Sequence, residues 1–308
     1  MYGYYQQPQN RQEFFRNLFF GKSVLSRLIL VNTFVFLLTA LVHLVSWLFG
    51  IQGPNGLTIL GSFLALPSDL HKLMLMPWTL VTYMFLHEGF LHWLFNMVML
   101  YFGGILFTEY LSDRKLLMTY LFGGLAGAVF FVAAFNLFPV FASVRTNSVA
   151  LGASASILAI IVAISTYVPD YTVHLFLLGK IKLKWLAIAF VILDIVSIPA
   201  NNPGGHIAHL GGALWGFVWA LSLRKGNDFL RIFDGIKMTD LSARKRKYRT
   251  FDTTGHFDER PLNDEEYNKR KAAQQAEIDR ILDKISRSGY ASLTKAEKEL
   301  LFKSSNKN

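Results

Sequence analysis

Long stretches that lack charged side chains constrain this chain more than any other feature. A helix needs about 20 apolar residues to cross the hydrocarbon layer of a bilayer, which is roughly 30 Å thick. Six segments are candidates: 28–50, 89–108, 116–144, 146–169, 185–199 and a last segment that ends at 223. The fifth is shorter than the others and contains one carboxylate, Asp194. Pro and Gly in 201–205 must separate the fifth segment from the sixth. The sequence therefore predicts an all-α membrane protein with six transmembrane helices.

Basic residues are distributed unevenly among the connections between these segments. Four precede the first span, two lie in the second connection and three in the fourth, whereas the first and third connections have one each and the fifth has none. Lys and Arg are enriched on the cytoplasmic side of membrane proteins. We therefore expect both termini to be cytoplasmic, as an even number of spans requires, in a plasma (inner) membrane. Because this pattern accounts for the formal charge of +10, we predict no nucleic-acid partner.

Two regions outside the spans have distinctive compositions. The first connection, about 51–89, is unusually apolar and is predicted to form short helices that lie in the membrane interface. Beyond Arg224 the chain becomes charged, and Arg244–Arg249 resembles an anchor for anionic lipid. A helical pattern follows that places Ile278, Ile281, Leu282 and Ile285 on one face, and Thr294 with Glu297 forms the pattern of a capping box.

These boundaries divide the chain into three parts. The parts are a cytoplasmic N-terminal segment (1–27) that leads into a retained membrane anchor, a membrane domain (28–224), and a cytoplasmic tail with a basic linker and a small helical hairpin (225–308). The tail carries no catalytic signature. We expect it to bind a protein partner or to regulate the membrane domain.

Polar side chains within apolar spans are candidates for function, because each one costs free energy in lipid. His92 and Asn96 are four residues apart, so they share one face of the second span. Considered alone, such a pair also fits a simple hydrogen bond between helices.

A second cluster is the sequence Gly-Ala-Ser-Ala-Ser at 152–156. Small residues permit close helix packing, which is the ordinary explanation of such a stretch. If Ser154 begins a helix, however, the free N–H groups of that first turn can hold an oxyanion.

A third cluster, at 205–216, contains two histidines at the start of the sixth span. Gly212 and Gly216 predict close packing on another helix, with Gly152 and Ser156 as the expected counterparts. That packing would bring His209 near Ser154, whose hydroxyl needs a base to become a nucleophile. His206 is the rival base, but His209 has the glycines at +3 and +7 on its own face.

Taken together, these motifs resemble the rhomboid family of intramembrane serine proteases. The resemblance covers about residues 75–220 and comprises four motifs in the family's order: PWTLVTYMFLHEGFLHWLFN (Pro77–Asn96), the glycines and Glu of YFGGILFTE, GASA at Gly152–Ala155, and HxxGxxxG at His209–Gly216. It implies a six-helix rhomboid bundle whose active site lies below the membrane surface. Ala155 stands where many members have Gly.

The resemblance also implies roles for particular residues. Ser154 would be the nucleophile and His209 its general base, while His92 and Asn96, with the Ser154 backbone N–H, would stabilise the oxyanion. The substrate would be a transmembrane segment of another protein in the bilayer, cut near a small residue. We expect no cofactor, and no metal site is predicted. Asp194 lines a water-filled cavity, merely reaches the outer interface or is a third catalytic member, and the sequence leaves these alternatives open.

Two other functions fit part of the pattern. A catalytically inactive rhomboid-like protein would bind transmembrane segments for trafficking or quality control, but such relatives typically lack the serine or the histidine. A transporter would show internal repeats and charged residues at the membrane midplane. We find no convincing repeat, so a serine endopeptidase is the leading hypothesis.

Overall fold

The structure is a computed structural model that describes residues 21, 23–51, 57–175, 179–200 and 202–235, together with 280–281, 283–285, 292–294 and 297–298. The helices in this part are α1 (Val24–Leu48), α2 (Ile59–Leu64), α3 (Leu70–Leu75), α4 (Thr79–Thr82), α5 (Phe90–Tyr110), α6 (Asp113–Leu137), α7 (Ser154–Tyr167), α8 (Leu183–Ser197) and α9 (Pro203–Arg224). Short 3-10 helices span Tyr83–Phe85, Pro139–Phe141 and Phe229–Gly235. The strands are β1 (Leu66–Pro67), β2 (Val149–Ala150), β3 (Thr172–Leu175) and β4 (Gly179–Lys182).

Four of these helices, α1, α5, α6 and α9, are long and apolar enough to cross a membrane. The two other predicted spans appear as shorter apolar helices, since α7 has 14 residues and α8 has 15. Large apolar side chains on α1 and α8 remain exposed, including Phe34, Leu41 and Val196. Such surfaces suit contact with lipid, so the chain is a multi-pass membrane protein.

Polar side chains at the helix starts explain where several helices begin. Ser23 caps α1 by accepting from the Ser26 N–H, and Ser112 caps α6 by accepting from the Lys115 N–H. Asn202 caps α9 with its side-chain oxygen, and Pro203 occupies the first turn, where its missing N–H costs nothing. The predicted break between the fifth and sixth spans therefore ends at a well-formed cap.

The core of the bundle is where α9 packs against α7 and α6. Glycines also let α6 approach α7, because a Cβ on Gly127 of α6 would lie 2.7 Å from the Ala155 Cβ, and one on Gly123 would lie still closer to the Ala159 Cβ. α7 is the most enclosed helix, with eleven of its 14 residues buried. It therefore provides the fixed centre on which the neighbouring helices are arranged.

The first connection forms short helices as predicted, but the chain is not purely helical. β1 in the first connection pairs antiparallel with β2, which lies just before α7, through Leu66 with Ala150 and Pro67 with Val149. β3 and β4 form a second antiparallel pair between α7 and α8. The sequence analysis predicted neither pair, because two to four residues are too few to show an alternating pattern.

Residues 246–308 of the tail form a second compact unit, of which only a few residues are described. The predicted capping box is confirmed: the Thr294 N–H donates to Glu297 Oε2 (2.7 Å), and the Glu297 N–H donates to Thr294 Oγ1 (3.3 Å). The first of these bonds, with a hydrogen bond from Lys284, lowers the pKa of the Glu297 carboxyl to about 2. Ile281 is buried, whereas Ile278, Leu282 and Arg244–Arg249 lie outside the described residues.

Candidate active site

Ser154 is the first residue of α7, and the backbone before it is held from two sides. The β1–β2 pairing fixes Ala150, and the Gly152 N–H donates to the Tyr83 carbonyl at 2.9 Å. Gly152 has a φ of +134°, a backbone conformation that residues other than glycine rarely adopt. The turn before Ser154 therefore requires glycine.

His209 lies on α9, which approaches the start of α7 very closely. A Cβ added to Gly212 or Gly216 would overlap the carbonyl oxygen of Ala155 or Ala159, respectively. The predicted glycine face thus packs on α7, but the prediction that Gly152 and Ser156 are its counterparts is wrong. The observed contacts lie three residues further along the chain, at Ala155 and Ala159, because Gly152 lies in the turn before α7 and Ser156 faces Gly124 of α6.

This approach brings Ser154 and His209 into hydrogen-bond contact. The distance from Ser154 Oγ to His209 Nε2 is 2.6 Å. With a neutral imidazole, the serine O–H donates to Nε2, which is the geometry that lets a base take the proton as the oxygen attacks.

The other ring nitrogen of His209 faces Asp194 of α8. Asp194 Oδ1 lies 2.8 Å from His209 Nδ1 and 2.7 Å from His206 Nδ1. The carboxylate is largely buried, with 12% of its side chain exposed. Ser154, His209 and Asp194 therefore form a continuous line of hydrogen bonds, and His206 joins it at the carboxylate rather than at the serine.

His92 and Asn96 of α5 line the same cavity as Ser154. A Cβ on Gly152 would lie 3.2 Å from His92 Nε2 and 3.4 Å from Ser154 Oγ, so the imidazole and the hydroxyl border the same small space. The Asn96 amide donates to the His92 carbonyl at 2.8 Å, which uses one of its two amide hydrogens. The structure thus brings together all four residues that the sequence singled out.

These groups open into one cavity of about 390 Å³. Its polar side chains are Ser154, His209, His92, Asn96, Asp194 and Asn202, and most of the remaining lining is apolar: Phe95, Met99, Leu151, Ile157, Leu158, Ile161 and Phe190. A mostly apolar pocket with a few convergent polar groups is typical of a substrate site.

Comparison with known families identifies the membrane domain. Residues 75–226 match the rhomboid domain. This chain belongs to the rhomboid family. Members are generally serine proteases that act on transmembrane substrates within the bilayer, although some are inactive.

The tail of this rhomboid has a separate match. Residues 263–307 match a family of unknown function (DUF6576). No curated protein matches the chain. The predicted division into a membrane domain (28–224) and a tail (225–308) stays a prediction, as does the role of the tail.

The sequence analysis did not determine which residues Asp194 contacts. Asp194 is the one charged side chain between Lys184 and Arg224, so its isolation in an apolar segment was the available signal. Its partners are 12 and 15 residues away across a helix break, and a helical repeat says nothing about such contacts.

Asp194, His206 and His209 also bring three ligand atoms within 4.8 Å of one another. The sequence analysis predicted no metal site. Two imidazoles and a carboxylate are a ligand set that transition metals accept. In the arrangement described, the same atoms are joined by hydrogen bonds, and a metal on His209 Nδ1 would replace its bond to the carboxylate.

Proposed function

We propose that this rhomboid is an intramembrane serine endopeptidase that hydrolyses a peptide bond in or near a transmembrane segment. The observation that supports this most strongly is the 2.6 Å contact between Ser154 Oγ and His209 Nε2 at the wall of a mostly apolar cavity. A serine that only served packing would need neither a base at this distance nor an open space beside its hydroxyl.

Chemically, the proposed cycle has two halves. Ser154 Oγ attacks the scissile carbonyl carbon while His209 Nε2 takes the hydroxyl proton, and the carbonyl oxygen becomes an oxyanion. The intermediate collapses when His209 gives that proton to the leaving amine, which leaves an ester on Ser154. Water, deprotonated by His209, then hydrolyses the ester and restores the serine.

The oxyanion would be stabilised by donors that converge beside Ser154. The N–H groups of the first turn of α7 have no partner within the helix, and Ser154 begins that turn. His92 borders the same space, and Asn96 lines the same cavity. Donors that are already in place cost no reorganisation when the charge develops.

The shortness of α7 supports a site below the membrane surface. Fourteen residues of α-helix measure about 21 Å, less than the roughly 30 Å of hydrocarbon. If Tyr167 lies near one face of the membrane, Ser154 lies within the layer. We propose that α7 and α8 complete a six-span bundle with both termini in the cytoplasm, so that water reaches Ser154 from the outer side.

The test is cleavage of a reporter protein that carries a transmembrane segment, with purified enzyme in proteoliposomes. Ser154→Ala should abolish cleavage and leave thermal stability close to wild type, since it removes only one hydroxyl. Ser156→Ala is the matched control: Ser156 lies two residues on, is fully buried and has no hydrogen-bond partner for its Oγ among the described residues. That variant should cleave normally.

The alternative is the inactive rhomboid-like protein that only binds transmembrane segments. It predicts that the wild type binds the reporter without cleaving it and that Ser154→Ala binds equally well. Cleavage that survives in folded Ser154→Ala would equally refute the proposed mechanism.

A further inference from the structure

Asp194 is a buried carboxylate that the two-residue mechanism does not use. It lies on α8, in a segment that is otherwise uncharged from Trp185 to Leu223. Carboxylates are very rarely buried without partners, because removal from water is costly unless hydrogen bonds replace it. Its replacement partners are two imidazole nitrogens, both at the same oxygen, and one of them belongs to His209.

The contact with Asp194 determines which nitrogen of His209 carries the proton. An ionised carboxylate only accepts hydrogen bonds, so the Nδ1 that lies 2.8 Å from Asp194 Oδ1 must be the protonated nitrogen. In a neutral imidazole the other nitrogen, Nε2, then has the free lone pair. Nε2 is the nitrogen that contacts Ser154 Oγ, and a base needs its lone pair there.

We propose that Asp194 is a positioning residue for the proteolytic reaction: it fixes His209 in the tautomer and ring orientation that the base requires, so that this rhomboid uses a Ser–His–Asp arrangement. The inference rests on the proposed peptidase function. Asp194 acts through His209 and touches neither the serine nor the scissile bond. Once His209 takes the serine proton, the carboxylate also faces a positively charged ring and stabilises it.

His206 has a different relation to the same carboxylate. Its Nδ1 lies 2.7 Å from Asp194 Oδ1, but the hydroxyl of Ser154 contacts His209. A carboxylate oxygen accepts two hydrogen bonds, so the two imidazoles need not compete. Removing His206 leaves the bond from His209 to Asp194 in place, which makes His206→Ala the matched control.

The decisive variant is Asp194→Asn, which keeps the shape of the side chain and removes its charge. An amide can turn its NH2 group toward Nδ1, which places the proton on Nε2 and leaves no lone pair for Ser154. Loss of the acidic member from a Ser–His–Asp arrangement lowers kcat on the order of 10⁴-fold. We therefore expect a fall in kcat of at least ~10²-fold, with KM nearly unchanged, whereas His206→Ala should keep most of its activity.

A second measurement separates positioning from a merely structural role. The ¹⁵N spectrum of the histidine-labelled full chain reports which nitrogen of His209 is protonated, with His209→Gln used for assignment. We expect protonated Nδ1 in the wild type and in His206→Ala, and a changed tautomer population in Asp194→Asn.

The outcomes distinguish this inference from the proposed function. Wild-type kcat in folded Asp194→Asn, or a His209 tautomer that ignores the substitution, would overturn the role of Asp194 and leave the peptidase intact. Activity lost only in proportion to unfolded protein would also overturn it. If the wild type shows no Ser154-dependent cleavage, the proposed function fails, and the spectrum still decides whether Asp194 orients the ring.

Discussion

Substituting Gly212 by Ala tests the packing that holds the base against the nucleophile. A Cβ at this position would overlap the Ala155 carbonyl oxygen and lie 2.8 Å from the Ala155 carbonyl carbon, whereas real Cβ atoms essentially never approach within 3.0 Å. Both neighbours are backbone atoms, so they cannot rotate away. α9 must therefore move from α7 by roughly 1 Å.

That displacement occurs beside the reacting groups. Gly212 is three residues after His209, and Ala155 directly follows Ser154, so the 2.6 Å contact between Ser154 and His209 must lengthen as well. A gap that is about 1 Å longer lies outside normal hydrogen-bond range. Misplacement of catalytic groups by this distance costs about 10²-fold in rate.

Two opposing effects decide the stability of this variant. Alanine is favoured over glycine in a helix by about 1 kcal/mol. Overpacking against an immovable neighbour costs about 1–3 kcal/mol. The steric effect should prevail, so we expect Gly212→Ala to lower the thermal midpoint modestly and to reduce reporter cleavage by about 10²-fold.

The assay is reporter cleavage in proteoliposomes, normalised to folded protein, with Gly103→Ala as the matched control. Gly103 is also inside a helix, but its nearest neighbours would be side-chain atoms, of which Ile161 Cγ1 is the closest, at 3.2 Å from the added Cβ. The control gains the same helix propensity and should remain active. Normal stability and activity in Gly212→Ala would refute the close approach of α9 and α7.

Three further substitutions test the site itself, each by reporter cleavage together with thermal melting. His209→Ala should be inactive and His206→Ala largely active, and the reverse result would show that the base was misassigned. Asn96→Ala should lower kcat on the order of 10²–10³-fold with a smaller change in KM, because an oxyanion donor acts in the transition state. Normal turnover with a lower melting point would instead show that Asn96 only makes a structural hydrogen bond. Gly152→Ala should lose both activity and stability, since a φ of +134° strains any residue other than glycine and the new Cβ would lie 3.2 Å from the His92 ring. Full activity of this variant would contradict the described turn.

The membrane helices could be predicted from the sequence because apolarity over 20 residues is a local property. The break before α9 was predicted from Pro and Gly in 201–205, and α9 begins within that stretch, at Pro203. The run at 146–169 gives less information, because hydropathy does not reveal that its first residues form β2 and a turn before α7 begins at Ser154.

The contacts between helices were only partly predictable. Glycines spaced by four residues predict close approach, but they do not specify the rotation of the partner helix, so Ala155 and Ala159 were missed as counterparts of Gly212 and Gly216. Asp194 shows the same limit. Its isolation indicated that it needs partners, but only the arrangement of α8 beside α9 identifies them as His206 and His209.

Covalent labelling by a fluorophosphonate tests the central claim most directly, because this reagent reacts with serines that a base has activated. The full chain is labelled in detergent, digested, and the modified residue is located by mass spectrometry. We predict an adduct on Ser154 that disappears in Ser154→Ala and in His209→Ala and persists in Ser156→Ala. Folded wild-type protein that carries no adduct on Ser154, or equal labelling of His209→Ala, would contradict the account.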